Sequence, residues 1–541
     1  MFKSDSTTTT YEIGNRQIHI IELILVIGLA CVPLLVNLPY RVNIFLSWEG
    51  AYRLSLGQIP YKDFGMPTGF VFWVIPALFF KLFGPYLVSL VKAQVLINII
   101  SGLSFRSILT TLGIDPGIRL ASVLLFCISY SFFNFWPWYN HTVIVWELVA
   151  LSFLLKYLFY ERPSPWLLVV SSLFLALSFF TKQDGGGLAI MLSIALVLYH
   201  CLVRRQAKPL LWFSLSLAVA LAVLILPFLP YDFGYWFNYG QPPHNSRLSV
   251  RDVLSDVLGA SQWIKFYGLL VILIIFRQFQ SYKTFWFNES EMIHLLLTLG
   301  ILVEAAIFQV TSYTPPDNNI FFHSFAFAYI VPRLQLQINF QRLNAAATLC
   351  LLIMLWWSGV YWKYIERIVD RALPTAEHAA GDEVVSKETY IIDMDTTVSE
   401  ANWTFSDQEV FKKIYMPGPT AEGIERVLQL DVVRNNPNPS VLNMTELTPL
   451  AYAIPYELET GPTQPLWYHK GVGMFQREED RFIRKIENKE YDLILYEYIP
   501  FLNNFYPFEV RDVLRQHYRQ VDEFVAPRRP ANVNIEVYVK E

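Results

Sequence analysis

The chain has 541 residues, of which 54% are hydrophobic and only 16% are charged, whereas soluble proteins usually carry about 25% charged residues. The formal net charge of −4 gives no indication of a nucleic-acid partner. The four cysteines, Cys31, Cys127, Cys201 and Cys350, all lie in apolar stretches, which excludes a disulfide framework and a cysteine-based metal site.

The N-terminal region is interpreted as a retained membrane helix. Its first 17 residues are largely polar, and the apolar run that follows is too long for a signal-peptide core and lacks a small-residue cleavage site.

Eleven apolar segments are long enough to cross a bilayer, which takes about 20 residues. They are 18–38, 87–112, 117–137, 141–160, 166–182, 187–203, 209–229, 262–280, 290–311, 318–335 and 344–363. A twelfth run, 69–83, is shorter and contains Pro76. It is either a further span or a re-entrant or interfacial helix.

Charge placement orients these segments, because Lys and Arg gather in cytoplasmic loops. Basic residues cluster in the turns at 204–208, 277–283 and 333–342, and Arg106, Arg119 and Arg162 mark two more turns. Counting from these turns places everything after residue 364 outside the cytoplasm. With the N-terminus inside, 39–86 is one external loop. We prefer this topology to the alternative, in which 69–83 crosses and the N-terminus is outside.

The sequence after residue 365 resembles an ordinary soluble protein in composition. A polar linker is predicted at 366–386, followed by a domain at 387–541 in which strand-like runs (389–395, 439–445, 491–498, 533–539) alternate with helical ones (420–430, 474–488, 507–519). This alternation predicts an α/β layer. There is no glycine-rich phosphate loop, so the domain is not expected to bind a nucleotide. It is expected instead to cap the membrane site or to contact the acceptor. The predicted fold is thus a multi-pass helical membrane protein, residues 1–365, with an extracytoplasmic α/β domain.

Polar residues accumulate at helix ends on the predicted external face, and convergent polar groups of this kind indicate a site. The most informative stretch is 48–92. It contains Trp48-Glu49-Gly50, then Pro60-Tyr61-Lys62-Asp63-Phe64, then an apolar run that ends in Leu82-Phe83-Gly84.

This stretch resembles the first external loop of the GT-C membrane glycosyltransferases, in the branch of the protein mannosyltransferases and the aminoarabinose transferase. Weaker similarity covers 136–147 and 181–187. The resemblance implies eleven or more helices, often with an external C-terminal domain. It also implies transfer of a sugar from a polyprenyl-phosphate donor to an external acceptor by a single inverting displacement.

The resemblance makes Glu49 the candidate general base, because the acceptor hydroxyl must lose a proton as it attacks the anomeric carbon. Relatives usually carry two adjacent acids here, whereas this chain has Trp48-Glu49. No metal ligands are assigned, and use of a divalent cation such as Mg or Mn is left open. An ordinary interfacial carboxylate is the alternative interpretation of Glu49.

Other residues of the loop have less specific assignments. Asp63 is either a second catalytic carboxylate or the N-cap of a helix that begins near Pro67, since Asp is a favoured cap. Tyr61 and Lys62 are candidate substrate-binding residues, and Lys62 is a candidate substitute for the charged residue that relatives place before the proline.

Two lysines are candidates for binding the lipid phosphate, whose charge grows as the glycosidic bond breaks. Lys92 lies one turn into the span after Phe83-Gly84, and its alternative role is snorkelling to the headgroups. Lys182 lies at another helix end on the predicted external face. Asp184, close to it in the sequence, is either a site residue or the salt-bridge partner of Lys182.

Asn140 and His141 are candidates for binding sugar hydroxyls or the acceptor. The alternative is that the surrounding Trp138 and Tyr139 form an aromatic belt at the membrane surface. Tyr313, Asp317, His323 and His244 are weaker external candidates, and Glu147, Glu304 and His294 are expected to be buried within helices.

The function expected from these residues is that of a lipid-linked glycosyltransferase whose partners are the donor lipid, membrane lipids and a cell-envelope glycan, lipid or protein acceptor. Its expected location is a bacterial inner membrane. One alternative is a glycolipid transporter or flippase, which the absence of an internal repeat disfavours. Another is a non-catalytic sensor or assembly protein.

Overall fold

The computed structural model describes most of the chain. The described residues are 11–41, 44–66, 68–129, 132, 136–231, 233–237, 250–259, 261–279, 281–312, 321–362, 365, 403–461, 464–466, 475–500, 506–527 and 533–541.

The described part of the N-terminal two thirds is helical, because a backbone in lipid must satisfy its hydrogen bonds within each segment. The helices are α1 (Asn15–Leu35), α2 (Ile44–Ser55), α3 (Val74–Phe83), α4 (Leu87–Thr111), α5 (Pro116–Ser129), α6 (Tyr139–Phe159), α7 (Trp166–Phe179), α8 (Gln183–Arg204), α9 (Lys208–Ile225), α10 (Val250–Gly259), α11 (Gln262–Gln278), α12 (Tyr282–Phe287), α13 (Glu289–Ser312), α14 (Phe321–Arg333) and α15 (Leu343–Trp356).

Each of the eleven predicted spans overlaps one helix; these are α1, α4, α5, α6, α7, α8, α9, α11, α13, α14 and α15. By length and composition, six helices of the described residues suffice to cross a membrane, or seven if the bent pair α10–α11 is one span. Helix α6 is buried on nearly every side, against α4, α7 and α8. By contrast, α9 exposes an apolar face at four-residue spacing, as lipid contact requires, through Leu211, Leu215, Val219 and Val223.

The basic turns lie together at one end of the bundle, which we call the basic face. There Glu22 of α1 is fully buried and pairs with Arg106 at 2.6 Å and Arg119 at 2.8 Å. The N-terminal segment lies at the same end, since the Ile13 amide donates to the Gln341 carbonyl at 2.9 Å. The N-terminus and the basic turns therefore share one face.

The helix α3 has both of its ends at the opposite face. Before it, the Val71 amide donates to the Phe180 carbonyl at 3.3 Å, at the α7–α8 junction. A Cβ on Gly69 would lie 1.6 Å from that carbonyl oxygen, so this approach requires glycine. After α3, the indole N–H of Trp48 donates to the Pro85 carbonyl at 2.7 Å. This arrangement favours a single loop in which 69–83 does not cross.

The C-terminal domain is built of two small sheets. Its described strands are β2 (Trp403–Phe405), β3 (Ile414–Pro417), β4 (Val441–Met444), β5 (Leu493–Tyr498), β6 (Arg519–Val525) and β7 (Asn534–Val539), and its helices are α16 (Gly418–Leu428), α17 (Asp431–Arg434), α18 (Leu450–Ala453), α19 (Phe475–Glu487) and α20 (Phe508–His517). The larger sheet has the order β4-β5-β7-β6, with β4 parallel to β5 and the other pairs antiparallel.

The predicted fold class, a multi-pass helical membrane protein with a C-terminal α/β domain, is confirmed. The strands predicted at 439–445, 491–498 and 533–539 correspond to β4, β5 and β7. The predicted linker at 366–386 and the strand at 389–395 lie outside the described residues, so the domain boundary stays a prediction.

The loop after α1 supplies a strand to the C-terminal domain. This strand, β1 (Leu38–Pro39), pairs in parallel with β3 in a three-stranded sheet of order β1-β3-β2. Its flanking bonds run from the Leu38 amide to the Lys413 carbonyl at 3.0 Å and from the Tyr40 amide to the Tyr415 carbonyl at 2.8 Å. Residues 38–65 and the C-terminal domain consequently lie on the same side of the bundle, which we call the loop face.

Candidate functional site

Glu49 lies in the middle of α2, buried beneath the C-terminal domain. Arg53 follows it by four residues, a spacing that brings side chains together on a helix. The Arg53 Nε donates to Glu49 Oε1 at 2.9 Å, and the same oxygen lies 2.8 Å from Arg53 Nη2. Both contacts use Oε1, so among the described residues Oε2 of Glu49 is left to accept a further proton.

The environment of Glu49 acts on its acidity in two directions. Burial raises the pKa of the Glu49 carboxyl, and the charge and hydrogen bond of Arg53 partly oppose that rise. The net effect is a pKa above the ordinary glutamate value. A carboxylate with a raised pKa is a stronger proton acceptor, which suits a general base.

The C-terminal domain contributes directly to this site. Arg53 Nη1 donates to the Gln58 side chain at 2.9 Å and to the backbone carbonyl of Glu459 at 2.8 Å. Tyr456, three residues earlier, is close enough for the charges of Glu49 and Arg53 to act on its hydroxyl. The pair Glu49–Arg53 of α2 therefore lies next to residues 456–459 of the C-terminal domain.

Tyr61, Lys62 and Asp63 form a tight turn in the loop. The buried ring of Tyr61 packs edge-on against Phe228 and Phe233, and its hydroxyl donates to the Thr68 carbonyl at 3.0 Å. Asp63 Oδ2 accepts from the Ile59 amide at 2.7 Å. Asp63 thus caps its own turn instead of a helix near Pro67, and Pro67 itself lies outside the described residues. Lys62 is exposed, with its ammonium 5.8 Å from the Tyr231 ring centroid.

A second group of predicted residues lies where α6 and α8 begin. Lys182 is buried at the N-cap of α8 and pairs with Asp184 at 2.9 Å. Its ammonium also lies 4.4 Å from the centroid of the Phe308 ring. Asn140 is buried, and its Oδ1 has no hydrogen-bond partner within the described part of the chain. His141 follows it in the first turn of α6.

Aromatic rings lie between this group and Glu49. The Lys182 ammonium is 5.9 Å from the Tyr139 ring centroid, and the Tyr139 ring is 5.8 Å from that of Phe72. The next ring, Trp73, packs beneath α2, where a Cβ on Gly50 would meet it at 2.0 Å. The two groups thus share the loop face without direct contact.

Lys92 is placed differently from Lys182. Its ammonium lies 4.0 Å from the centroid of the Phe83 ring, which is 46% exposed at the end of α3. This places Lys92 of α4 at an exposed edge, beside the C-terminal end of α3.

The remaining polar candidates are buried or lie outside the described residues. Tyr267 and the Nδ1 of His323 are hydrogen-bonded at 2.8 Å between α11 and α14. His294 lies 3.1 Å from Arg333 at the basic face. Glu147 of α6 and Glu304 of α13 are both buried, and their carboxyl groups lie close enough to interact with each other. His244, Tyr313 and Asp317 lie outside the described ranges.

No group of three or more His, Cys, Asp or Glu side chains in the described part of the chain is arranged to hold a metal ion.

Three residues at Glu49 were not among the sequence candidates: Arg53, Tyr456 and Glu459. Arg53 has a sequence signal, since it is the only basic residue at helical spacing from Glu49 in α2. Tyr456 and Glu459 have none, because they reach the site only through the packing of the C-terminal domain.

No protein-family model matches the sequence, and no match was found among curated proteins. Among solved structures, the chain is similar to ArnT from Cupriavidus metallidurans bound to undecaprenyl phosphate, at 12% identity and a TM-score of 0.47, over 96% of this chain and 97% of that chain. It is also similar to ArnT from the same organism in the apo state, at 12% identity and a TM-score of 0.45, with the same coverage.

Proposed function

We propose that this protein is a membrane glycosyltransferase that moves a sugar from a polyprenyl-phosphate donor to an acceptor outside the cytoplasm, with inversion at the anomeric carbon. The observation that carries the proposal is the buried Glu49, in which Arg53 holds Oε1 while no described residue is hydrogen-bonded to Oε2. The resemblance of residues 48–92 to the first loop of GT-C enzymes supports the same assignment.

In the proposed reaction, Glu49 Oε2 takes the proton of the acceptor hydroxyl as that oxygen attacks the anomeric carbon. The bond between the anomeric carbon and the phosphate oxygen breaks on the opposite side. The electron pair goes to the polyprenyl phosphate, and a nearby cation stabilises this growing charge. Lys182 is the better candidate for that role because it is buried at the loop face, whereas Lys92 lies at the edge.

Asn140 is the proposed contact for the sugar. Its buried Oδ1 lacks a partner among the described residues, and a buried acceptor of this kind is usually satisfied. A sugar hydroxyl supplies the missing donor. His141 and Lys62 are proposed to line the approach of the acceptor, and Asp63 and Tyr61 hold the shape of the loop.

The proposed location is a bacterial inner membrane with the basic face toward the cytoplasm, as the distribution of Lys and Arg favours. The loop face then meets the extracytoplasmic acceptor, which is a glycan, lipid or protein of the cell envelope. Because the donor carries its own lipid anchor, no nucleotide sugar is required.

The test is transfer by the full-length protein in lipid nanodiscs supplied with radiolabelled polyprenyl-phosphate sugars and envelope extract. Replacing Glu49 by Gln is expected to lower the transfer rate by about 100-fold or more, the typical contribution of a positioned base. Glu487→Gln, an exposed glutamate on α19, is the matched control and should retain the full rate.

Full transfer by the Glu49→Gln protein would refute the role of Glu49. Absence of transfer by the unmodified protein with every donor would refute the enzyme and favour a transporter or a non-catalytic membrane protein.

A further inference from the structure

The carboxylate of Glu459 in the C-terminal domain is held by three side chains of the same domain. Its Oε1 accepts from the Tyr491 hydroxyl at 2.6 Å and from the Lys485 ammonium at 2.8 Å. Its Oε2 pairs with Arg481 at 3.3 Å. These donors come from α19 and from the segment just before β5, so they fix the backbone at residue 459 to the body of the domain.

The backbone carbonyl of the same residue points to the membrane part. It accepts from Arg53 Nη1 at 2.8 Å, across the boundary between the C-terminal domain and the loop. Arg53 is only 2% exposed, and its remaining bonds go to Gln58 and Glu49. The Glu459 carbonyl is therefore the contact through which the C-terminal domain holds the guanidinium.

The chain on either side of Glu459 follows the loop closely. The Gly461 amide donates to the Asp63 carbonyl at 2.8 Å, and the Gly65 amide donates to the Gln464 carbonyl at 2.8 Å. Upstream, Tyr456 is buried beside Glu49 and its hydroxyl accepts from Asn443 at 3.4 Å. Residues 456–461, here called the contact segment, are thus bonded to the loop at Glu459 and Gly461.

We propose that the contact segment positions the catalytic base: Glu459 fixes Arg53, and Arg53 fixes Glu49 with Oε2 directed at the acceptor. This inference rests on the proposed function, and it gives the C-terminal domain a specific part in the reaction. Arg53 and Glu459 are positioning residues, since they act through Glu49. Small displacements of a base reduce the chemical step strongly, while donor binding elsewhere is unaffected.

The first test is Glu459→Ala in the full-length protein, which removes the three side-chain contacts and keeps the carbonyl. The expected result is a fall in kcat of about 10-fold with an unchanged KM for the lipid donor, as a small misplacement of the base produces. Because Arg53 lowers the pKa of Glu49, a loosened Arg53 also moves the acidic limb of the kcat profile to higher pH.

The matched control is Asp522→Ala, which removes an ion pair with Arg426 between α16 and β6, at 2.8 Å, in the same domain. It should leave kcat, KM and the pH profile unchanged. If Glu459→Ala does not fold, Tyr491→Phe removes one bond to Glu459 and should lower kcat by about 3-fold, the effect of one hydrogen bond.

The second test places Glu459→Ala in an Arg53→Gln background. If Glu459 acts through Arg53, the second substitution has little further effect on kcat, so the two changes are strongly non-additive. An equal loss in both backgrounds, or a Glu459→Ala protein with the unmodified kcat and pH profile, would overturn the inference. These outcomes differ from failure of the proposed function, in which Glu49→Gln itself retains transfer.

Discussion

At the scale of single residues, the candidate site is centred on one carboxyl group, Glu49, whose pKa is set by two opposing influences. Burial raises the pKa of Glu49, and Arg53 lowers it. A general base is active only when it has lost its proton, so the acidic limb of kcat/KM reports this pKa. The balance between the two influences is therefore measurable.

Arg53→Gln removes the opposing influence and leaves Glu49 buried. The acidic limb of kcat/KM should move to higher pH, because the deprotonated carboxylate loses its cation while burial persists. The measurement is a pH–rate profile from about pH 5 to pH 9, the range set by titrating carboxyl and imidazole groups. An unchanged limb, or one that moves to lower pH, would show that Glu49 is not the titrating base.

The sequence predicted some of these residues and not others, for physical reasons. Glu49 is a candidate through the resemblance of residues 48–92 to a known family, and the helical spacing of Arg53 from Glu49 could have indicated their contact. Tyr61 was proposed as a substrate contact, but its ring packs between aromatic residues of a distant segment. Glu459 lies 406 positions after Arg53 in the chain, and no local pattern relates residues so far apart.

At the scale of elements, the C-terminal sheet contains a charged pair whose removal has a clear consequence. Glu536 of β7 is buried and bonded to Arg511 of α20 and to the Tyr538 hydroxyl. Burial alone would raise the pKa of Glu536, but these bonds hold it below the ordinary value. A lowered pKa stabilises the fold above the ordinary glutamate pKa, and this stabilisation is lost as the pH falls through the lowered value.

Arg511→Gln should destabilise the C-terminal domain by about 3 kcal/mol at neutral pH, because it leaves a buried carboxylate without its cation. Hydrogen exchange of the full-length protein is the measurement, and amides of β5 and β7 should exchange about 100-fold faster. Adding Glu536→Gln should restore much of the protection. Unchanged exchange in the single variant would contradict this account.

Elements with strong local patterns were predictable, and those defined by pairing were not. Long apolar runs marked the eleven helices, and alternating runs marked β4, β5 and β7. The strand β1 has only two residues, too few for any periodicity, and it becomes a strand because β3 lies beside it. The bend of 87° between α10 and α11 was likewise not predicted, because the pattern of apolar residues does not indicate a change in helix direction.

At the scale of the whole molecule, the two faces of the bundle carry different chemistry. The basic face holds the N-terminal segment and the Arg-rich turns, and the loop face holds the C-terminal domain and the candidate site. The loops that share each face were predictable from charge. Once the basic turns are assigned to one side, the number of spans between loops assigns every other loop to a side.

Cysteine labelling tests this arrangement in intact cells. A cysteine at the exposed positions Lys62 and Gln520 should react with a membrane-impermeant maleimide, and one at the exposed Arg205 should react only after permeabilisation. The four native cysteines lie within helices, and the unmodified protein serves as the background control. Labelling of the first two positions from opposite sides would contradict the fold.

The pairing of β1 with β3 has a consequence for biogenesis. During translation β1 leaves the ribosome with the first loop, whereas β3 follows only after the last membrane helix. The hydrogen bonds from the Leu38 and Tyr40 amides to the β3 segment therefore form only after the membrane helices have been synthesised. The bond from Arg53 to the Glu459 carbonyl likewise forms only then. On the proposed function, the surroundings of Glu49 are then completed last, so a partly synthesised chain in the membrane is expected to transfer no sugar.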